Sequence, residues 1–135
     1  MIKAFLICDS SGYSFYSKKI DESFEIIQPE LLSGLISAIG MIGKKLFKEE
    51  IATITYGDNN RFGITIISKE LFGNERTLYF VFMVDGEPDK QKMRQLCVNI
   101  FIEAKQFLKN PNGLTSMVEQ KIDRLIESKY DLKDF

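Results

Sequence analysis

Hydrophobic positions along this chain follow three patterns: continuous runs, strict alternation and 3–4 spacing. Ile2 to Cys8 is apolar on both faces apart from Lys3, the pattern of a strand covered on two sides. Asp9-Ser10-Ser11-Gly12 then predicts a hairpin turn. Tyr13 to Ser17 alternates as a second strand, and Lys18 to Gln28 is a mixed connection. Pro29 opens a helix that runs to about Phe47, because its missing N–H costs nothing in a first turn. The stripe Leu32, Leu35, Ile36, Ile39, Ile42 and Leu46 has the spacing of a helix packed on a sheet.

Three strands follow. Ile51 to Tyr56 alternates, Gly57-Asp58-Asn59-Asn60 turns the chain, and Arg61 to Ser68 returns. Lys69 to Glu75 reads as a second turn, and Thr77 to Val84 is the most apolar strand, so it is predicted to be central. Pro88 opens a second helix to about Leu108, with Met93, Leu96, Cys97, Ile100, Phe101, Ala104, Phe107 and Leu108 as its buried stripe. Asn110-Pro111-Asn112-Gly113 ends it. A last helix from about Thr115 to Lys129 carries Val118, Ile122 and Leu125 on one face. The order β-β-α-β-β-β-α-α predicts an α+β domain over residues 1–129, with 130–135 as a tail. A five-stranded antiparallel sheet with helices on its faces is the economical solution.

Composition narrows the function classes. With 44% hydrophobic and 27% charged residues in 135, the chain suits one globular domain. A net charge of −1 draws it toward neither nucleic acid nor an anionic membrane. No apolar run approaches a membrane span, and the start reads as a strand and not as a signal peptide. Cys8 and Cys97 lie far apart in apolar stretches, as free buried thiols in a reducing compartment do.

There is no histidine, which removes the commonest general base and transition-metal ligand. Asp9 and Asp85 each follow an apolar strand and would suit a metal or acid–base pair only if they met. Both open turn sequences, Asp-Ser-Ser-Gly and Asp-Gly-Glu-Pro, so turn formation through side-chain bonds to the backbone is the stronger reading. Gly34, Gly40 and Gly43 do not form a phosphate loop, and Lys44, Lys45 and Lys48 sit where a helix C-terminus favours cations anyway. The aromatic residues follow strand patterns and read as core, not as a base-stacking platform.

Met1-Ile2-Lys3-Ala4-Phe5-Leu6-Ile7-Cys8-Asp9, the strand Tyr79-Phe80-Val81-Phe82-Met83-Val84-Asp85, and Phe101-Ile102-Glu103 in the next helix together resemble longin-like domains. The small sigma subunits of clathrin adaptors look most similar, and roadblock domains are more distant relatives in shape. The resemblance covers about Met1 to Leu108; the Cys-Glu-Leu-Asp segment typical of sigma chains is not found after that helix. It implies the sheet order 2-1-5-4-3, with the first helix on one face and the two C-terminal helices on the other, and a non-catalytic protein-interaction module, a subunit or regulator in membrane trafficking or small-GTPase control. The implied partners are a small GTPase or another longin-like or roadblock-like chain, a second copy included. No cofactor, metal or catalytic residue is implied, and the expected location is cytoplasmic, at membranes only through a partner.

Three surfaces are candidates for contact. Leu31, Gly34, Ala38 and Met41 fall together on the first helix, away from its core stripe, and the small residues would allow close approach. Ile51, Thr53 and Thr55 lie on an expected edge strand with no lysine or proline to defend it. Val98 and Ile102 lie off the buried stripe of the second helix. Either the last helix folds over them or they floor a groove for an apolar peptide; Ile102 matches a helix position that lines the dileucine-signal pocket of sigma subunits. A small-molecule sensor of the PAS or profilin-like type is the alternative and would need a cavity between the first helix and the sheet. An enzyme with an unrecognised carboxylate site is the remaining one.

Overall fold

The computed structural model describes residues 1–25, 29–59, 61–71, 76–108 and 115–129. The strands are β1 (Ile2–Asp9), β2 (Ser14–Lys19), β3 (Ile51–Tyr56), β4 (Phe62–Leu71) and β5 (Arg76–Asp85). The helices are α1 (Pro29–Ile42), α2 (Lys90–Leu108) and α3 (Thr115–Lys129). The strands form one antiparallel sheet in the order β2-β1-β5-β4-β3, the order that the longin-like resemblance implies. Residues 130–135 lie outside the described residues, as do the Asn110 to Gly113 turn and most of the turn after β4.

β5 lies between β1 and β4, and every residue from Leu78 to Val84 is buried. That double burial is why its sequence is continuously apolar. On one face Phe5, Phe80, Phe82 and Val84 meet Met93, Leu96, Cys97 and Ile100 of α2 and Ile122, Leu125 and Ile126 of α3. Phe5 packs on Phe82 with ring centroids 4.8 Å apart and on Tyr16 at 5.9 Å. On the other face Leu6, Cys8, Ile66, Tyr79 and Val81 meet Leu32 and Ile36 of α1.

Several boundaries differ from those read in the sequence. β4 continues through Lys69 to Leu71, because β5 is long enough to pair with each of those residues. α2 starts at Lys90, not Pro88. Asp89 caps it, accepting the backbone N–H groups of Gln91 and Lys92 at 3.1 Å each. α1 ends at Ile42 and passes into one π-helical turn, Gly43–Phe47. Lys48 stops that turn in the left-handed region, with φ at 58°.

The buried face of α1 is the main correction. Leu35, Ile42 and Leu46 were expected in the core and are exposed, Leu35 at 57% and Leu46 at 70%. The helix turns Leu32, Ser33, Ile36, Ser37 and Gly40 toward the sheet instead. Two small serines and a glycine let it approach closely. A Cβ on Gly40 would lie 2.3 Å from the Tyr79 ring. Ser37 Oγ donates to the Ser10 carbonyl at 2.8 Å, so this polar side chain is satisfied inside. On α2 the described stripe is buried as predicted at Met93, Leu96, Cys97 and Ile100, with Phe101 partly covered. The side chains of Ala104, Phe107, Leu108 and Val118 lie outside the described ones.

Candidate protein-interaction surface

A helix that is apolar all round belongs inside something. α1 buries one face on its own sheet and leaves a second apolar stripe outside. Leu31, Leu35, Ala38, Ile42 and, within the π turn, Leu46 follow one line at 3–4 spacing, and all are exposed. Leu31 is 71% exposed. Gly34 and Met41, also exposed, flank this line, and nothing lies within 4 Å of a Cβ built on Gly34. The sequence reading placed Leu31, Gly34, Ala38 and Met41 on this surface but missed Leu35, Ile42 and Leu46. The signal was present in Ser33, Ser37 and Gly40, which mark the face of closest helix–sheet approach.

β3 is the outermost strand on that side of the sheet. The bond from Ser68 N–H to the Glu50 carbonyl, 2.8 Å, sets the phase of its pairing with β4. In the register Ala52↔Ile66 and Ile54↔Ile64, the even residues exchange bonds with β4. The backbone groups of Ile51 and Thr53 therefore point away from β4, along the outer edge. These two are among the edge residues singled out in the sequence; Thr55 continues the same alternation. Ile51 is half-buried against the core, while the Thr53 and Thr55 side chains are exposed.

Val98 and Ile102 stay exposed on α2, Ile102 at 64%. α3 does not fold over them. It docks further round through Ile122, Leu125 and Ile126, and Tyr16 O–H donates to Asp123 at 2.5 Å. Lys18 pairs with the same carboxylate at 3.4 Å. Val98 lines one side of a charged groove of about 480 Å³ with Arg94, Lys69 and Lys48, not an apolar slot.

The two candidate aspartates do not meet. Asp9 pairs with Leu78 at one end of β5 and Asp85 with Phe62 at the other. Asp9 Oδ1 accepts from the backbone N–H groups of Ser11 and Tyr13, both at 3.0 Å, so it shapes the hairpin. Asp85 departs from the turn reading. Its carboxylate takes Arg61 in a forked ion pair at 2.7 and 3.2 Å, and that guanidinium holds its pKa below the usual range. Among the described residues no group of three or more His, Cys, Asp or Glu is placed to hold a metal, and no helix is long and apolar enough to cross a membrane.

Both thiols are inside. Burial pushes Cys8 up to about 12, with a Ser33 hydrogen bond opposing, and raises Cys97 further. At the α1–sheet interface, where a sensor domain would keep its cavity, Gly40 sits directly against the Tyr79 ring. Beyond the helix on that face lies a small pocket of about 210 Å³ lined by Phe24, Tyr56, Phe62, Ile64 and Met83.

The fold has solved counterparts. It is roadblock/longin-like. The gliding protein MglB from Thermus thermophilus superposes with a TM-score of 0.50 at 14% identity, over 62% of this chain and 61% of that one. A second structure, MglB with a tetrameric arrangement, gives a TM-score of 0.50 at 14% identity over 62% and 60%. The matched part spans about three-fifths of those chains. At this identity the likeness concerns the fold alone. No family model matches the sequence, and no curated protein matches it.

Proposed function

We propose that this chain is a non-catalytic protein-interaction module that works as a subunit or regulator in small-GTPase control or membrane trafficking. The observation that carries this reading is the second apolar face of α1 beside an undefended sheet edge. The implied function of longin-like domains, and a solved counterpart described as tetrameric, support the same reading.

The first partner to expect is another chain of the same fold, a second copy included, joined through α1 and β3. Thr53 lies midway between Ile51 and Thr55, so antiparallel pairing about it brings no like charges together. Magnitudes show that the helix stripe is insufficient by itself. Burying Leu31, Leu35, Ile42 and Leu46, each already part-covered, is worth roughly 1 kcal/mol apiece. Two copies then supply on the order of 8 kcal/mol, within the range of the association cost itself. Edge pairing at Ile51 and Thr53 supplies the surplus and the register. A small GTPase would meet the assembled module.

The test is affinity capture from native lysate in GDP and in a non-hydrolysable GTP analogue, with wild type and Leu35→Glu. Enrichment of one small GTPase by the wild type, sensitive to the nucleotide and lost in the variant, is the expected result. Absence of any GTPase, or capture unchanged in the variant, contradicts the reading.

A further inference from the structure

On the sheet face opposite α1, α2 and α3 cover β2, β1 and β5 and leave the far end of β3 and β4 to a cleft of about 590 Å³. Its floor is uncharged. Thr53, Thr55 and Thr65 stand on alternate positions of paired strands, so their side chains share that face. Gly63 extends the floor, where a Cβ would come 3.1 Å from the Ile54 carbonyl and 3.6 Å from Val84. The opposite wall is the entry to α2, Gly86 to Lys90.

Thr65 is 1% exposed, and its hydroxyl has no hydrogen-bond partner among the described residues. A buried hydroxyl without a partner is costly, and native structures rarely keep one without a use. Across the cleft stand charges of both signs, Glu87, Asp89 and Lys90. Glu87 and Lys90 are exposed and make no ion pair among the described residues. Asp89 between them is occupied in capping α2. The volume suits a small molecule rather than a domain.

We infer that this cleft binds a small zwitterion of the amino-acid class. Its ammonium group meets Glu87, its carboxylate meets Lys90, and its polar side chain takes up the Thr65 hydroxyl at the cleft floor. The charged rim selects the two poles and the neutral floor selects an uncharged hydrogen-bonding side chain. A fully charged ligand would leave one rim charge unmatched, and a wholly apolar one would leave Thr65 as it is. The site lies on the other face from α1 and does not rest on the partner reading.

The test uses the full chain, unfolded in guanidinium and refolded to strip carried molecules. Each of the twenty amino acids is added singly at millimolar concentration, with thermal unfolding and threonine-methyl NMR as readouts. The expected result is a higher melting temperature and a shifted Thr65 methyl signal with one or a few polar neutral amino acids. Thr65→Val should melt above wild type without ligand, since it removes the unpaired hydroxyl, yet bind at least about tenfold more weakly. Thr65→Ser should bind as wild type, and Lys90→Gln and Glu87→Gln should each weaken binding. If no amino acid moves the Thr65 signal, or if Thr65→Val and Lys90→Gln bind as wild type, the proposal is overturned. Should Thr65→Val fail to fold, Thr65→Ser and Lys90→Gln decide it.

Discussion

Gly40 rests on the ring of Tyr79. A Cβ built there lies 2.3 Å from the ring Cε1, so the glycine sets the distance between α1 and the sheet. Tyr79 is buried on the central strand, so its ring can yield only by displacing packed neighbours. Gly40→Ala should therefore destabilise the fold, although alanine is the better helix former by about 1 kcal/mol. Overpacking of this kind costs typically ~1–3 kcal/mol, so a net loss of about 1 kcal/mol is expected in urea unfolding. A gain in stability would show that the helix has slack.

The outer stripe of α1 should respond in the opposite way. Leu35→Glu and Ala38→Glu place charge on exposed positions and should leave monomer stability within about 0.5 kcal/mol of wild type. Self-association should fall sharply in both. Equilibrium unfolding together with sedimentation separates the two effects. A loss of several kcal/mol would return Leu35 to the core.

Ile102 provides a check on α3. If α3 covered this side chain, Ile102→Asp would bury a charge and cost several kcal/mol. With Ile102 mostly exposed, the variant should unfold at nearly the wild-type urea midpoint.

Alkaline pH should unfold the protein earlier than its acid groups suggest. Cys8 rises from 9.0 to about 12 in the folded state, and Cys97 also rises. Between those values the unfolded chain has released thiol protons that the native chain still holds. The native state then binds more protons, so stability falls as pH rises from about 9 toward 12. Tyr16, whose hydroxyl is buried and bonded to Asp123, shifts in the same direction. Replacing both cysteines by alanine should flatten the pH dependence of the urea midpoint above pH 9. At neutral pH both thiols should react with a disulfide reagent only after denaturant is added.

Much of the fold was legible because strand burial writes itself into composition. β5 is apolar without a break since both its faces are covered, and β3 alternates since one side of it is not. The inward face of α1 was misread for a physical reason. Periodicity identifies apolar stripes but does not say which of two faces the sheet, and the assumption that leucine and isoleucine go inside failed. The serines and Gly40 sit inward because closeness, not bulk, is what the Tyr79 contact requires. The same error hid three residues of the candidate surface, Leu35, Ile42 and Leu46, while Leu31, Gly34, Ala38 and Met41 were recognised. Thr65 could not be singled out in sequence, because its missing partner depends on which side chains the folded sheet brings around it.

The most direct test of the interaction surface is amide hydrogen exchange along β3, measured by NMR over a range of protein concentrations with sedimentation on the same samples. Ala52 and Ile54 bond inward to β4 and should be protected at all concentrations. Ile51 and Thr53 should exchange quickly in dilute solution and become protected as the protein associates, with Leu35→Glu abolishing the change. A monomer at the highest concentration, with Ile51 and Thr53 exchanging at one constant rate, would contradict the proposed contact.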